Sequence, residues 1–151
     1  MDAFDADVLI YAAVPGHSLG RRVLALLPDE PVGEQGFPPG IGSVLLLPEL
    51  LSKPIRDQAD DEVTTLTALL SRLDLLPVDQ ATAELAVALG ARYGLKAADA
   101  VHLATGVGAG ADRFLTNNDR DFPRTITEID ITYPRDLPDP AQPGKGPVPE
   151  A

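Results

Sequence analysis

The sequence predicts an α/β protein in which a short parallel sheet is covered by helices on both faces. Three observations lead there. Short apolar runs alternate with helical patterns along most of the chain, an order that places parallel strands between crossover helices. The 151 residues are one domain's worth, since domains cluster at about 100–150 residues. At 44% hydrophobic residues, the periodic runs can also build a core.

In order along the chain, Ala3–Asp5 reads as the end of a short buried strand. Val8–Ala13 follows as a helix, with Asp5 or Asp7 placed to cap it, because a carboxylate there accepts an otherwise orphaned backbone N–H. Ser18–Leu27 reads as a helix ended by Pro28. Gly33–Gly42, rich in Gly and Pro, reads as a loop. Ser43–Leu51 is strongly apolar, with Glu49 its only charge. Asp60–Leu73 sets Val63, Leu66, Leu69, Leu70 and Leu73 on one helical face, and Asp57, Asp60, Asp61 and Glu62 read as a solvated helix start. Leu75–Val78 is a short strand. Asp79 then caps a helix carrying Leu85, Leu89 and Tyr93, with Gly94 at its C-terminal stop. Ala97–Val107 is a further helix, Arg113–Thr116 a strand and Glu128–Tyr133 a last strand. Residues 134–151 hold six of the fifteen prolines and almost nothing apolar; proline blocks both helix and ladder hydrogen bonds. The expected organisation is therefore a domain over 1–133 and an extended, mostly disordered tail over 134–151, with no internal repeat.

Composition excludes several functions. With no cysteine, disulfides, thiolate catalysis and Cys-ligated zinc are ruled out together. No run of ~18 apolar residues exists to span a membrane. The N-terminus carries Asp2, Asp5 and Asp7 rather than a basic region, which argues against a signal peptide and for the cytoplasm. Formal net charge is −11. The tail accounts for −1 of it, leaving −10 on the domain. So acidic a surface argues against direct phosphate binding, unless clustered carboxylates hold divalent cations that reverse the local field.

Ligands of open parallel sheets bind beyond the carboxyl ends of the strands, which directs attention to the acids placed there. Asp5 and Asp7 follow the first strand, and Asn117, Asn118, Asp119 and Asp121 follow Phe114-Leu115-Thr116. Asp99 lies near a helix start, where the dipole favours a carboxylate. Glu49 is a lone acid within LLLPELL. Buried and unpaired it would cost several kcal/mol, so it should line a cavity, bind a cation or be paired. Asp7 reads more readily as a helix cap than as a ligand. His17 and His102 are weak candidates for catalysis, His102 reading as a satisfied core histidine.

Order and combination now matter. FDADVLIYA, SVLLLPELLSK and LKAADAVHLATGVGAGADRFLTNNDRDFP resemble, in sequence order, the motifs of the PIN-domain family, especially the compact VapC-type toxins of bacterial toxin–antitoxin pairs. The likeness runs over residues 3–133. It implies a PIN-like three-layer sandwich and a divalent-metal-dependent endoribonuclease. Asp5, Glu49 and Asp99 would form the acidic pocket, with Asp5 and Asp99 the metal ligands. In the fourth motif Thr116 matches, Asn118 stands where an Asp is usual, and Asp119 and Asp121 follow; Asp121 is favoured as the fourth acid, with Asn118 positioning it. Asp7 stands where Asn, Ser or Thr is usual, adding a ligand or replacing one cap by another. Carboxylate oxygens suit Mg2+ or Mn2+.

The resemblance also implies partners: an RNA substrate, a cognate antitoxin that covers the pocket, and a homodimer, with Arg21, Arg22, Lys53, Arg56, Arg92 and Lys96 as candidate RNA contacts. Two alternatives stay within the fold, a PIN nuclease outside any toxin pair and a catalytically silent binding module. A HAD-type phosphatase also matches FDADVLIY and FLTNN, with Asp5 as nucleophile and Asp7 as general acid. That enzyme needs a downstream lysine, and after Thr116 the chain offers only Lys145 in the tail.

Overall fold

The computed structural model describes residues 1–29 and 40–142. Five parallel strands form one sheet: β1 (Asp2–Phe4), β2 (Gly40–Ser43), β3 (Asp74–Leu76), β4 (Arg113–Leu115) and β5 (Asp130–Thr132), in the order β3-β2-β1-β4-β5. Six helices cover it: α1 (Ala6–Ala13), α2 (Ser18–Leu24), α3 (Leu46–Arg56), α4 (Asp60–Leu70), α5 (Gln80–Tyr93) and α6 (Ala97–Gly108). The chain leaves β1 for β2 on one side and β4 lies on the other. The carboxyl end of β1 is thus a switch point of the sheet, where a crevice opens.

Side chains alternate across each strand, and this splits the core in two. Phe4 and Leu115 pack with Val8, Leu9, Leu46, Leu66 and Leu70 of α1, α3 and α4 on one face. Ala3 and Phe114 pack with Leu89, Leu103 and Ala104 of α5 and α6 on the other. The result is the three-layer α/β sandwich expected. Short β-strands with large residues on both faces need both helical layers to exclude water.

Local chemistry sets the helix boundaries. Asp5, not Asp7, is the N-cap of α1, its carboxylate accepting from Ala6 N at 2.8 Å. Asp79 caps α5, and Gly94 closes it in the left-handed conformation at φ 67°, where a Cβ would be strained. Gly20 lets α2 lie directly on α1: a Cβ there would collide with the Tyr11 carbonyl. Asp60, Asp61 and Glu62 are exposed in the first turn of α4.

Three sequence expectations need correction. The second helix stops at Leu24 rather than Leu27, its last turn giving way to turns before Pro28. The expected loop Gly33–Gly42 gives up Gly40–Gly42 to β2, a central strand that its glycines disguise; Gly40 and Gly42 leave room for Phe4 and Leu46. Residues 33–39 of that loop lie outside the described residues. The third concerns the tail. Pro134–Asp136 forms a 3-10 turn, and Leu137 is 1% exposed within the first core. Arg22 donates to the Leu137 carbonyl at 2.8 Å, and Asp139 lies 3.3 Å from Arg21 and 3.8 Å from Arg22. A single leucine among prolines gave no periodic signal, yet it is enough to anchor the segment on α2. Packing thus continues beyond 133, and residues 143–151 lie outside the described residues. Leu137→Ala should cost about 2–4 kcal/mol, seen as a lower urea midpoint; an unchanged midpoint would show that the segment does not stabilise the domain.

Candidate active site

The carboxyl ends of β1 and β4 and the first turns of α1, α3 and α6 meet at the switch point. Three of the acids sit in those first turns, Asp7 on α1, Glu49 on α3 and Asp99 on α6. There the helix dipole partly offsets the cost of crowding negative charge.

Asp5 is the most enclosed acid, 6% exposed. One oxygen caps α1, and the other accepts from Thr116 Oγ1 at 2.9 Å. Thr116 is fully buried and its hydroxyl also accepts from Asn118 N at 3.1 Å. Burial pushes the Asp5 carboxyl above its ordinary range, against the opposing pull of His102 and the Thr116 hydrogen bond, and the nearby charge of Glu49 adds to the rise. Each carboxylate oxygen retains a lone pair beyond these bonds.

Asp7 accepts from Asn117 N at 3.0 Å and so ties α1 to the loop after β4. It is pushed up to about 7, first by burial and then by the charge of Asp5, and its Oδ1 is buried without a hydrogen-bond partner. The expectation that it caps the helix is corrected: from the first turn of α1 it braces the loop after β4. Asn117 also donates to the Tyr11 hydroxyl at 3.1 Å.

Asp99 is half-buried, and its carboxyl is raised by burial, then by Asp5 and Asp121. Asn118 grips Asp121 from both sides, its amide donating to the carboxylate at 2.9 Å and its oxygen accepting from Asp121 N at 3.1 Å. Asp119 is exposed and faces away to Arg135, 3.4 Å distant.

Glu49 is paired, one of the outcomes expected of a lone acid among apolar neighbours, and it is only partly buried. Its side chain is 34% exposed and its Oε2 lies 2.9 Å from His102 Nε2. Proline at 48 and leucines at 46 and 50 disguised a helix that buries only one stripe, with Leu46, Leu50 and Pro54 inside. His102 is the residue that sequence reasoning undervalued. It is buried as expected of a core histidine, 2% exposed, but its imidazole points at the acids, and its charge would act on both Asp5 and Asp99. Its spacing of three from Asp99, one helical turn, was the available signal.

The donor chemistry fits a hard divalent cation: oxygen ligands only, mutually repelling carboxyls whose proton affinity is raised, and an orphaned buried oxygen on Asp7. As the side chains lie, no group of three or more His, Cys, Asp or Glu among the described residues is already gathered to hold an ion.

Of the basic residues expected to meet RNA, Arg21 and Arg22 are committed to Asp139 and the C-terminal segment. Arg92 pairs with Glu128 at 3.0 Å, and Arg56 with Asp57 at 3.3 Å. Lys53, one turn after Glu49, and Lys96, one turn before Asp99, are exposed beside the acids.

Residues 3–126 match the PIN-domain family model, and the chain belongs to that family. No curated protein matches it. Among solved structures, it is similar to a toxin–antitoxin complex from Klebsiella pneumoniae, at 26% identity and TM-score 0.69, covering 89% of this chain and 98% of that one. It also shares its fold with DNA-bound VapBC from Salmonella typhimurium, at 20% identity and TM-score 0.67, covering 88% of this chain and 97% of that one. VapBC2 from Rickettsia felis, bound to a promoter DNA fragment, aligns at 16% identity and TM-score 0.63, over 87% and 97% of the two chains. Among the described residues no helix is long and apolar enough to cross a membrane.

Proposed function

We propose that this protein is a divalent-metal-dependent endoribonuclease and acts in the cytoplasm as the toxin of a VapBC-type pair. The observation that carries the reading is the meeting of Asp5, Glu49, Asp99 and Asp121 at the switch point, close enough that Asp5 and Asp99 feel the other acids' charges. Repelling carboxylates of this kind are stabilised by a bound cation, which cancels their mutual charge.

Asp5 and Asp99 would hold Mg2+ or Mn2+, with Thr116 fixing the Asp5 carboxylate and Asn118 fixing Asp121 on the far side. When bound, the ion supplies Lewis-acid charge at the phosphate and lowers the pKa of water. Glu49 Oε1, the oxygen not engaged by His102, would orient an attacking water and take its proton. Lys53 and Lys96 flank the acids and would receive the adjoining phosphates. Unpaired RNA suits the site, because a flexible strand can bring its backbone into a narrow pocket.

An antitoxin would cover the acids with a basic side chain and anchor itself on apolar surface. Ile10 on α1, Val14 just after it and Leu24 on α2 are exposed. A homodimer would bring two sets of lysines to one RNA groove, and light scattering at micromolar concentration distinguishes it from a monomer. A binding module on the same fold is the second reading, favoured by the lack, among the described residues, of a preassembled group of three ligands. Expression tests the choice. Wild-type protein alone should arrest bacterial growth and Asp5→Ala should not; equal growth of the two would remove the toxin reading.

A further inference from the structure

We infer that His102 is a positioning residue that holds Glu49 over the acidic pocket, an inference resting on the nuclease reading above. Glu49 stands on a helix face whose neighbours Leu47 and Pro48 are exposed. A glutamate in such a place ordinarily extends into water, where its rotamers are many and its position undefined. Here its Oε2 meets His102 Nε2 at 2.9 Å, and the imidazole is itself immobilised, with 1% of its side chain exposed. One partner fixed in the core thus fixes the other at the pocket's mouth.

The direction of the hydrogen bond follows from the acceptor. An ionised carboxylate offers only lone pairs, so Nε2 carries the proton, in the neutral ring as in the charged one. Nδ1 is buried with no partner, so among the described residues the ring's one hydrogen bond is to Glu49. A histidine kept only for packing could be replaced by an apolar residue of similar volume. This one places its Nε2–H on a pocket acid that no other side-chain hydrogen bond among the described residues holds, whereas Asp5 is fixed by Ala6 N and Thr116 and Asp121 by Asn118. The spacing makes the arrangement cheap: Asp99 and His102, one turn apart on α6, reach the pocket and the far helix from a single element.

The chain has two histidines, so 15N imidazole spectra are simple to assign with a His17→Gln variant. The Glu49→Gln substitution should shift the His102 nitrogen signals and leave those of His17 in place. Mn2+ titration by calorimetry then measures the consequence. His102→Leu should weaken binding about tenfold, the scale of lost outer-shell partners at metal sites. His102→Gln, whose amide nitrogen can stand near the Nε2 position, should stay within about threefold of wild type. In a Glu49→Gln background His102→Leu should have no further effect. A purely structural histidine would lower affinity equally in both backgrounds and would not be rescued by Gln; that result overturns the inference. Signals of His102 unmoved by Glu49→Gln overturn the pairing itself, whereas wild-type protein that binds no Mn2+ overturns the nuclease reading on which the inference rests.

Discussion

Replacing Asp5 by asparagine is expected to lower metal-dependent RNA cleavage by about three orders of magnitude, roughly 4 kcal/mol of transition-state stabilisation, without unfolding the protein. The two hydrogen bonds that Asp5 makes explain the second half of that result. Asn Oδ1 can still accept from Ala6 N, and its amide can face Thr116 Oγ1, which keeps a lone pair while accepting from Asn118 N. What disappears is a buried charge that burial and Glu49 disfavour. The melting temperature should therefore hold or rise as activity falls. Asp5→Ala is the harsher change, because it also removes the cap of α1, at about 1 kcal/mol. Wild-type cleavage by a folded Asp5→Asn protein would remove Asp5 from the chemistry.

The second large effect is on stability against pH. Asp7 is raised from its ordinary 3.8 to about 7, by burial first and by Asp5 next. The folded protein therefore holds a proton there that the unfolded chain has released. That contribution to stability is complete below about pH 3.8 and is lost as pH rises through about 7. Asp5 and Asp99, also raised, act in the same direction. In EDTA, the melting temperature should fall as pH rises from about 4 to about 7, the window between the ordinary and the raised value of Asp7. Asp7→Asn can keep the bond from Asn117 N while removing the charge. It should raise melting at pH 8 by roughly 5–10 °C, from at most about 4 kcal/mol, and flatten the dependence. A variant that melts like wild type at every pH would show that Asp7 is ionised at no cost.

These effects separate what the sequence could reveal from what it could not. Strands, helices and the end of the sheet where the site lies follow from periodicity and from caps such as Asp79 and Gly94, because these are local signals. β2 escaped in part because Gly40 and Gly42 look like loop residues, although their missing side chains make room for Phe4 and Leu46. Leu137 escaped because one buried residue has no period. At the site, the acids stood out by type and order. Their division of labour did not, since it depends on contacts across the fold: Asp5 with Thr116 is a pairing over 111 positions, and Glu49 with His102 one over 53. Asp7 shows the limit well. A cap and a loop brace look the same in sequence, and only the position of Asn117 N separates them.

The most direct measurement of the central claim is cleavage of a mixed pool of structured and unstructured RNA by purified protein with Mg2+, with Mn2+ and with EDTA, beside an Asp99→Asn variant. Cleavage that needs the divalent ion and is lost in the variant is the predicted result. Cleavage indifferent to EDTA and to Asp99, or protein that neither cleaves any RNA in the pool nor binds Mn2+, would contradict the account.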